Sequence, residues 1–463
     1  MRQIKFLKLI AVIIISIISS SCSGATDEPN ELNTPDITSS PEITMPDFPS
    51  PTKTSPQVGP IHQKPPEINS GLTHILPNGN RVISGSGDLS SYSQVDVNLP
   101  GIPIWIVGVS SQSGIIWTVS LENGSVLSFF SNDRGISEYK NSISGVSPGA
   151  PVHTLSLDDQ FSILTVSDPE QSTFTHPIYL PKSNTRAYIS QNGDIIIIDA
   201  EDQVITILAV KALPDARLLV DEQDRILLIS DPTDMYSHGV LGDGLEAKSI
   251  TLINTFPTIG VSSRIILEDH EVIEGIAPIW ADITGDGISD IIVTVSDQDL
   301  GAGIVVFDES GERLAEGPKM GQPFRWRHQI AIASSGPIGE SELIVVRTPH
   351  IGGVIEYYQF DQGELKIVAD FAGITSHIIG SRNLDMAAAG DFDGDGTIEV
   401  MLPTRDLSEL VAIRRSPSGV EEIWKLPIGG VLSTNLSGAR FPDGRMAFAI
   451  GSSDGVLRFW LPK

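Results

Sequence analysis

Short runs of β-favouring residues recur through most of this 463-residue chain and limit its fold more than any other feature. Turns of Gly, Asp, Asn, Ser and Pro separate them. Several runs are almost continuously apolar, as expected of strands covered on both faces. The pattern predicts an all-β fold. Examples are Ile102 to Val109, Gly114 to Leu121, Phe161 to Val166, Asp194 to Ile198, Arg225 to Ile229, Asp290 to Val295, Glu342 to Val346, Glu399 to Leu402 and Met446 to Ile450.

The runs also recur at a regular interval. The acids that open three of them, Asp290, Glu342 and Glu399, lie 52 and 57 residues apart, and Arg445 follows 46 residues later. A period of about 40 to 55 residues built from short strands is typical of β-propeller blades. We therefore predict a β-propeller.

The strand groups predict eight blades. Seven is the alternative, because the units between His153 and Val210 are short. The last unit has only three clear strands. We expect a strand from the start of the body, around Thr73 to Ser84, to complete this unit and close the ring. The predicted units lie near residues 97–130, 151–181, 185–210, 215–253, 273–316, 326–369, 384–426 and 432–462.

The N-terminus has the organisation of a secretory signal. Three basic residues precede a short apolar stretch, Leu9 to Ile18, which is too short to span a bilayer. Three serines then lead to Cys22 in a pattern that resembles a bacterial lipobox, although Ser19 stands where leucine is usual. We predict cleavage after residue 21 and lipidation of Cys22, with palmitate among the acyl chains.

Cys22 is the only cysteine, so an intramolecular disulfide is impossible. Attachment by two or three acyl chains would hold the protein on a membrane, facing the extracytoplasmic side of the cell envelope. Ser23 is not the aspartate that retains such proteins at an inner membrane. We therefore expect the outer membrane in a Gram-negative cell and the outer face of the cell membrane otherwise.

The residues after Cys22 have the composition of a linker. Ten of the 31 prolines lie between Pro29 and Pro66, among Ser, Thr, Asp and Glu. Such a segment cannot bury enough apolar surface to fold, and its prolines make it extended. The predicted organisation is a signal peptide at 1–21, a lipidated linker at 22–70 and a propeller at 71–463.

The charge of the chain is strongly negative. The formal net charge is −28, and removal of the three basic residues of the signal makes it −31. This balance disfavours nucleic acid and anionic lipid surfaces as partners and favours cations and neutral ligands. It also promotes solubility outside the cell, which requires no specific ligand.

Two nine-residue segments, Asp282 to Asp290 and Asp391 to Glu399, predict calcium sites. Each has oxygen-bearing side chains at positions 1, 3, 5 and 9 and a glycine at position 6, and calcium prefers six to eight oxygens supplied by a tight loop. Each segment runs directly into an apolar strand, which excludes an EF-hand. We predict two structural Ca2+ ions, with the first site weaker because it carries one acid fewer. The predicted ligands are Asp282, Thr284, Asp286, the Ile288 carbonyl and Asp290, and then Asp391, Asp393, Asp395, the Thr397 carbonyl and Glu399.

The sequence around these loops resembles FG-GAP and VCBS repeats. Gly275 to Val293 with Gly301 to Phe307 carries the resemblance, and so does Met386 to Leu402. Such repeats form the blades of integrin-α-like propellers. The resemblance, which covers about two blades, implies that each calcium loop joins two strands and that the ion fixes blade geometry; direct contact with a ligand and a metal-free loop are the alternatives. The similar turns Gly339 to Glu342 and Pro442 to Arg445 lack the full ligand set.

Other sites are weakly indicated. Gly145 to Gly149 and Gly451 to Gly455 match G-x-S-x-G but lack the following helix of a nucleophile elbow, so we predict no catalytic residue. The patch Arg325, Trp326, Arg327 and His328 is a possible ligand contact, for a sugar or an acidic group. Alternatively, Trp326 packs between blades and the arginines are solvated or pair with nearby acids.

Three functions remain open. The lipid anchor and the lack of a catalytic motif favour a binding protein for a protein or glycan, and exposed aromatic residues on one face would support it. A polysaccharide-active lyase or hydrolase requires perturbed acids in a cleft. An outer-membrane assembly scaffold is the third, because Leu410 to Trp424 is similar to a quinoprotein-type repeat of propeller lipoproteins.

Overall fold

A computed structural model of the chain describes residues 68–141, 143, 145–157 and 159–463. The predicted signal peptide, Cys22 and the linker up to residue 67 lie outside the described residues. The described part contains 33 strands and one 3-10 turn, Leu89–Ser91, which confirms the all-β prediction. In this part, no helix is long and apolar enough to cross a membrane.

Three strands precede the repeating part of the chain: β1 Ile68–Gly71, β2 Val82–Ser86 and β3 Ser93–Asn98. The next three groups are β4 Pro103–Ser110, β5 Ile115–Leu121, β6 Val126–Asn132 and β7 Gly135–Tyr139; β8 Thr154–Leu157 and β9 Gln160–Ile163; and β10 Ile178–Leu180, β11 Thr185–Ile189, β12 Ile195–Ile198 and β13 Val204–Leu208. The fourth and fifth groups are β14 Leu219–Val220, β15 Ile226–Thr233, β16 Glu246–Asn254, β17 Gly260–Ile266 and β18 Glu271–Ile273; and β19 Ile279–Ala281, β20 Asp290–Asp297, β21 Gly301–Phe307 and β22 Arg313–Glu316. The last three are β23 Arg327–Ala333, β24 Glu342–Arg347, β25 Val354–Asp361 and β26 Glu364–Ala372; β27 Ala388–Asp391, β28 Glu399–Pro403, β29 Glu409–Ser416 and β30 Gly419–Pro427; and β31 Ser437–Arg440, β32 Met446–Ser452 and β33 Val456–Leu461.

The groups are antiparallel and follow one another along the chain, as expected of propeller blades. Strand β18 pairs with both β16 and β20, and β22 meets β26 at Glu316 and Glu364, so three groups share one 13-stranded sheet. The second group contains only β8 and β9 together with β1. Eight blades rather than seven therefore stays a prediction.

Burial follows position within each group. The second and third strands are largely buried, as in β5, a second strand, and in β12, a third strand whose sequence is four isoleucines, because neighbouring groups cover both of their faces. The fourth strands alternate or are largely exposed, as in β26, because solvent covers one side. The core consequently lies between successive sheets.

The ring closes with a strand from the start of the body, as predicted, but not with the predicted segment. Strand β3 pairs antiparallel with β33 over six residues, from Ser93 opposite Leu461 to Asn98 opposite Val456. The expected closing segment, Thr73 to Ser84, lies elsewhere, and β2 pairs in parallel with β27. Residues Ile68–Ser70, which the sequence assigned to the linker, belong to β1 and pair with β8.

The segment from Leu72 to Ser86 crosses the inside of the ring. Its backbone oxygens at Pro77, Asn78 and Arg81 accept hydrogen bonds from the N–H groups of Val220, Trp280 and Ala389, at 2.8 to 2.9 Å. These three donors belong to the inner parts of three different groups. The segment therefore supplies acceptors that the short inner strands lack.

Two ends of the ring can be distinguished from the strand order. The upper face carries the turns between the first and second strands of each group, including both predicted calcium loops. The lower face carries the turns between second and third strands and the connections between groups. Strand β1 runs from the upper face inward, because Ile68 lies opposite Leu157 at the end of β8.

A polar cluster lies inside the ring around the crossing segment. Arg81 forms a buried ion pair with Asp385 at 2.8 Å. His74 stacks on His176 at 5.8 Å, and His176 meets His153 edge-on at 5.2 Å. Burial lowers the pKa of His153 to about 4 and the pKa values of the other two well below 6.5, so all three imidazoles are neutral at pH 7.

We expect the free energy of unfolding to decrease as the pH falls from 6.5 towards 4. In this window the unfolded chain protonates these histidines and the folded chain does not, which costs up to about 1.4 kcal/mol per pH unit for each one. Urea unfolding at several pH values measures this dependence. The free energy of unfolding should change less with pH in His153→Leu than in the unchanged chain. His270→Gln, at a half-exposed position, is the control. If the free energy of unfolding changes equally with pH in all three proteins, His153 is not the neutral buried histidine described above.

Candidate functional sites

The two predicted calcium loops share one set of hydrogen bonds. Asp282 accepts from the glycine N–H groups at positions 4 and 6 of its loop, at 2.6 and 2.8 Å, and Asp391 does the same at 2.8 and 3.2 Å. The position-9 acids, Asp290 and Glu399, each accept from the N–H at position 2, at 2.9 and 2.8 Å. Because these bonds recur 109 residues apart, the loops have the same conformation.

The backbone conformation of the loops favours glycine at position 6. Gly287 and Gly396 have φ values of +84° and +87°, which side-chain-bearing residues rarely adopt. In the second loop, this turn brings the side chains at positions 1, 3 and 5 together. In the second loop, carboxylate oxygens of Asp391, Asp393 and Asp395 all lie within 4.8 Å of one another, and no other group of three acids, histidines or cysteines in the described part of the chain does so. These hard oxygen donors fit calcium.

An arginine distinguishes the second loop from the first. Arg414 Nη2 lies 2.9 Å from Glu399 and 3.1 Å from Asp395, and it also contacts Asp393. The first loop has three acids, whereas the second has four acids and this arginine, so both carry a net charge of −3. The extra acid therefore gives the second loop no advantage in net charge. Burial raises the pKa of Glu399 to about 7.

The predicted ligand patch at Arg325 to His328 is mostly internal. Trp326, Arg327 and His328 are buried, so they cannot contact an external ligand directly, and Arg325 alone is partly exposed. Trp326 packs with Ile276 and Leu384, from two other connections between groups. Arg327 pairs with Glu356 at 3.1 Å. The structure therefore matches the alternative: Trp326 is packed inside, Arg327 is paired with an acid, and the partly exposed Arg325 donates to the Phe324 carbonyl at 2.8 Å.

Trp326 nevertheless lies among a group of histidines near the lower face. Its ring stacks on His328 at 4.9 Å and on His350 at 6.1 Å. His377 Nε2 lies 2.7 Å from the Ser381 carbonyl, which can only accept, so this nitrogen carries the hydrogen. His350 Nε2 must therefore donate to His377 Nδ1, at 2.8 Å. The Nδ1 lone pair of His350, a half-buried residue, is left as an acceptor.

A carboxylate group lies beside these histidines. Glu274 is fully buried and contacts His238 Nδ1 and the Ser296 hydroxyl through its two oxygens. Burial, reinforced by the charge of Glu274, raises the pKa of Glu246 well above 4.5. A histidine held by one carboxylate, close to a second acid with a raised pKa, is the kind of pair that general acid–base catalysis uses.

An exposed aromatic residue stands over this group. Phe324 is 46% exposed, stacks on Tyr236 at 5.0 Å and lies 5.4 Å from His238. Its φ is +54°, an uncommon value for a bulky side chain. The Tyr236 hydroxyl accepts a hydrogen bond from the Phe324 N–H at 2.5 Å and holds this conformation. Local strain of this kind is often found at functional sites.

The lower face exposes further apolar side chains. Phe174 is 44% exposed and is covered on one side by the Arg382 guanidinium, 4.2 Å from its ring centre. Among the residues between 68 and 463 that the structure describes, three large exposed apolar residues in turns lie on the upper face, Phe256, Ile288 and Ile338, and seven in turns and connections lie on the lower face. The seven are Phe174, Leu245, Leu300, Phe324, Ile351, Ile379 and Val431.

No protein-family model matches this sequence, and no curated protein matches it. Among solved structures, the chain is similar to a europium-containing methanol dehydrogenase, with a TM-score of 0.51 and 8% identity over 84% of this chain and 97% of that one. BamB from Moraxella catarrhalis has a TM-score of 0.45 and 13% identity over 80% and 97% of the two chains. The Swd1 β-propeller domain from Myceliophteria thermophila has a TM-score of 0.43 and 10% identity over 80% and 99%. The fold is a β-propeller, and identities this low carry no information about activity.

Proposed function

We propose that this chain is a lipid-anchored, extracytoplasmic binding protein whose calcium-stabilised propeller binds a protein or glycan through its lower face. The observation that carries the proposal is the set of exposed apolar side chains on the loops of that face. Solvent-exposed aromatic residues of this kind supply much of the binding energy at interfaces. The strained conformation of Phe324 supports a functional position.

The anchor and calcium parts of the proposal rest on the sequence. Cys22 in its lipobox-like context supports attachment, and the FG-GAP and VCBS resemblance supports the metal. The shared conformation of the two loops and the oxygen set at Asp391 are consistent with calcium. Bound calcium would link the four predicted side-chain ligands of each loop, and because positions 1 and 9 lie at the ends of the first and second strands, it would hold these strands together.

If Arg414 competes with calcium, Arg414→Gln should strengthen calcium binding at the second loop by roughly tenfold, since one nearby positive charge is removed. Calorimetric titration of the chelator-treated protein would measure both sites. The first loop, which has no matching arginine, is the internal control. Calcium should also raise the melting temperature of the unchanged protein. No binding at either loop would refute the calcium proposal.

Phe324→Ala should weaken partner binding by roughly 30-fold, the effect expected from a central aromatic contact. Phe256→Ala is the matched control, because Phe256 is 55% exposed on the upper face. A photo-crosslinking residue placed at 324 or at 256 in intact cells would identify a protein partner, and a glycan array would identify a sugar. Crosslinking from 256 but not from 324 would contradict the choice of face.

The buried acid pair favours a second candidate, an enzyme acting on polysaccharide. Here Glu246 would donate a proton and His238, held by Glu274, would accept one. Glu246→Gln should lower the rate by about 100-fold to 10,000-fold, with little change in melting temperature, because glutamine resembles the protonated acid. Release of reducing ends or unsaturated sugars from envelope polysaccharide is the measurement. If the unchanged protein releases neither, this candidate fails.

A further inference from the structure

Two histidines on the lower-face loops each keep a ring nitrogen that no other group of the described chain uses. They are His238, in the turn between β15 and β16, and His350, in the turn between β24 and β25. Phe324 lies in the connection from β22 to β23. The three residues come from three different loops, so the fold rather than the local sequence places them on one face.

The free nitrogen of His238 is Nε2. Its Nδ1 contacts one oxygen of Glu274, whose other oxygen accepts from the Ser296 hydroxyl. A carboxylate accepts, so Nδ1 carries the hydrogen and Nε2 of the neutral ring is an acceptor. This Nε2 has no partner in the part of the chain that the structure describes, and unlike Nε2 of His328 it is not buried. It is therefore open to a ligand.

The free nitrogen of His350 is Nδ1. The Nε2 atom of this ring donates to His377, at 2.8 Å, which leaves the Nδ1 lone pair as an acceptor. Burial, together with the nearby His238, lowers the pKa of His350 to about 4, so the ring is neutral at pH 7. Among the described residues Nδ1 has no partner, and it is not buried either. Both acceptors thus reach solvent.

Contacts through Trp326 and Glu274 connect the two histidines with Phe324. The Phe324 ring centre lies 5.4 Å from that of His238. His350 stacks on Trp326 at 6.1 Å, and the Trp326 indole N–H donates to the Glu274 carbonyl at 3.0 Å. The side chain of the same Glu274 holds His238. One exposed flat ring and two acceptors consequently belong to one connected group.

These groups define the chemistry of a ligand. Phe324 offers an apolar surface to a molecule that has one of its own, and the two imidazole nitrogens require hydrogen-bond donors. A sugar ring has both features, because its C–H groups form an apolar face and its hydroxyls donate from the edge. A carboxylate or phosphate provides no donor, and the net charge of −28 repels it.

We propose that the ligand of the lower face is a glycan with a neutral sugar ring at this position. The C–H face of the ring stacks on Phe324, one hydroxyl donates to His350 Nδ1, and a second hydroxyl donates to His238 Nε2. The inference rests on the proposed function, because it gives the chemical class of the partner that the lower face binds.

An array of neutral and uronic-acid oligosaccharides, screened with the full chain, tests the ligand class. We expect neutral sugars to bind, and calorimetric titration of the strongest one to show saturable binding. Binding of uronic-acid sugars alone would overturn the glycan inference. If no sugar binds but a photo-crosslinking residue at 324 captures a protein, the inference fails and the lower-face function stands. If no sugar binds and nothing is captured, both fail.

Two variants locate the sugar. Glutamine places its amide near the Nε2 position of a histidine and asparagine near the Nδ1 position, so His350→Gln and His238→Asn keep the bonds to His377 and Glu274 but remove the free acceptors. Each should weaken binding of the strongest neutral sugar by about 2-fold to 12-fold, the effect of one hydrogen bond. His270→Gln is the control, at a half-exposed position outside this group. Unchanged affinity in both variants would show that the sugar binds elsewhere.

Monodeoxy derivatives of the same sugar separate direct contact from a structural effect. The derivative that lacks the hydroxyl facing His350 should bind the unchanged chain about 2-fold to 12-fold more weakly than the intact sugar. It should bind His350→Gln as well as the intact sugar does, because the contact is already absent there. If every deoxy derivative loses as much affinity for His350→Gln as for the unchanged chain, no hydroxyl contacts His350 Nδ1.

Discussion

The ring depends on the chain that crosses its inside. The inner strands β14 and β19 are two and three residues long, too short to satisfy their backbone groups by pairing within their own sheets. The crossing segment accepts from Val220 and Trp280 for this reason. The side chain of Asn80 continues the same role, because it both donates to and accepts from the backbone of Ile332, at 2.8 and 2.9 Å. Buried polar groups require such partners.

The crossing also places charge inside the protein. Arg81 and another buried arginine, Arg217, share Asp385, at 2.8 and 3.7 Å. The Arg217 guanidinium lies 5.3 Å from the ring centre of Trp105. Removing one member of a buried pair leaves a charge without compensation, which is strongly destabilising. The inside of the ring is therefore a polar, specific environment that orients the segment, in contrast to the apolar layers between the sheets.

The parts of the fold that sequence could predict are those encoded locally. Strand runs such as Ile195–Ile198 and the period of the acidic strand openings are visible in the residues themselves. The prediction placed the closing strand at Thr73 to Ser84, whereas the structure places it at Ser93–Asn98. Both segments precede the first group and both contain β-favouring residues. Ser93–Asn98 suits an outer position, since its Asp and Asn side chains remain exposed, whereas Val82–Ser86 carries a buried Ile83. Which segment becomes the outer closing strand and which lies inside depends on the strand that each one pairs with in three dimensions.

The same difference between local and long-range contacts explains which site residues the sequence could predict. All ligands of a predicted calcium loop lie within nine residues, so the motif is readable, whereas Arg414 meets the second loop only through the pairing of β28 with β29. The lower-face group joins His238, Glu274 and Ser296 with residues near 324, 350 and 377. No spacing in the sequence predicts that these residues meet. The patch at 325–328 is mostly internal, because Trp326, Arg327 and His328 are buried, and the exposed aromatic residue beside it is Phe324, which no sequence motif indicated.

The two faces differ in what the chain makes available on them. The upper face carries the predicted calcium loops and Ile68, at which the described chain begins. The lower face carries most of the exposed apolar loop residues and no such entry. Because Ile68 lies opposite Leu157 at the upper end of the β1–β8 pair, the described chain enters the ring at the upper face. The lower-face loops are connected to that point only through the sheets, so a partner bound there need not disturb the entry of the chain.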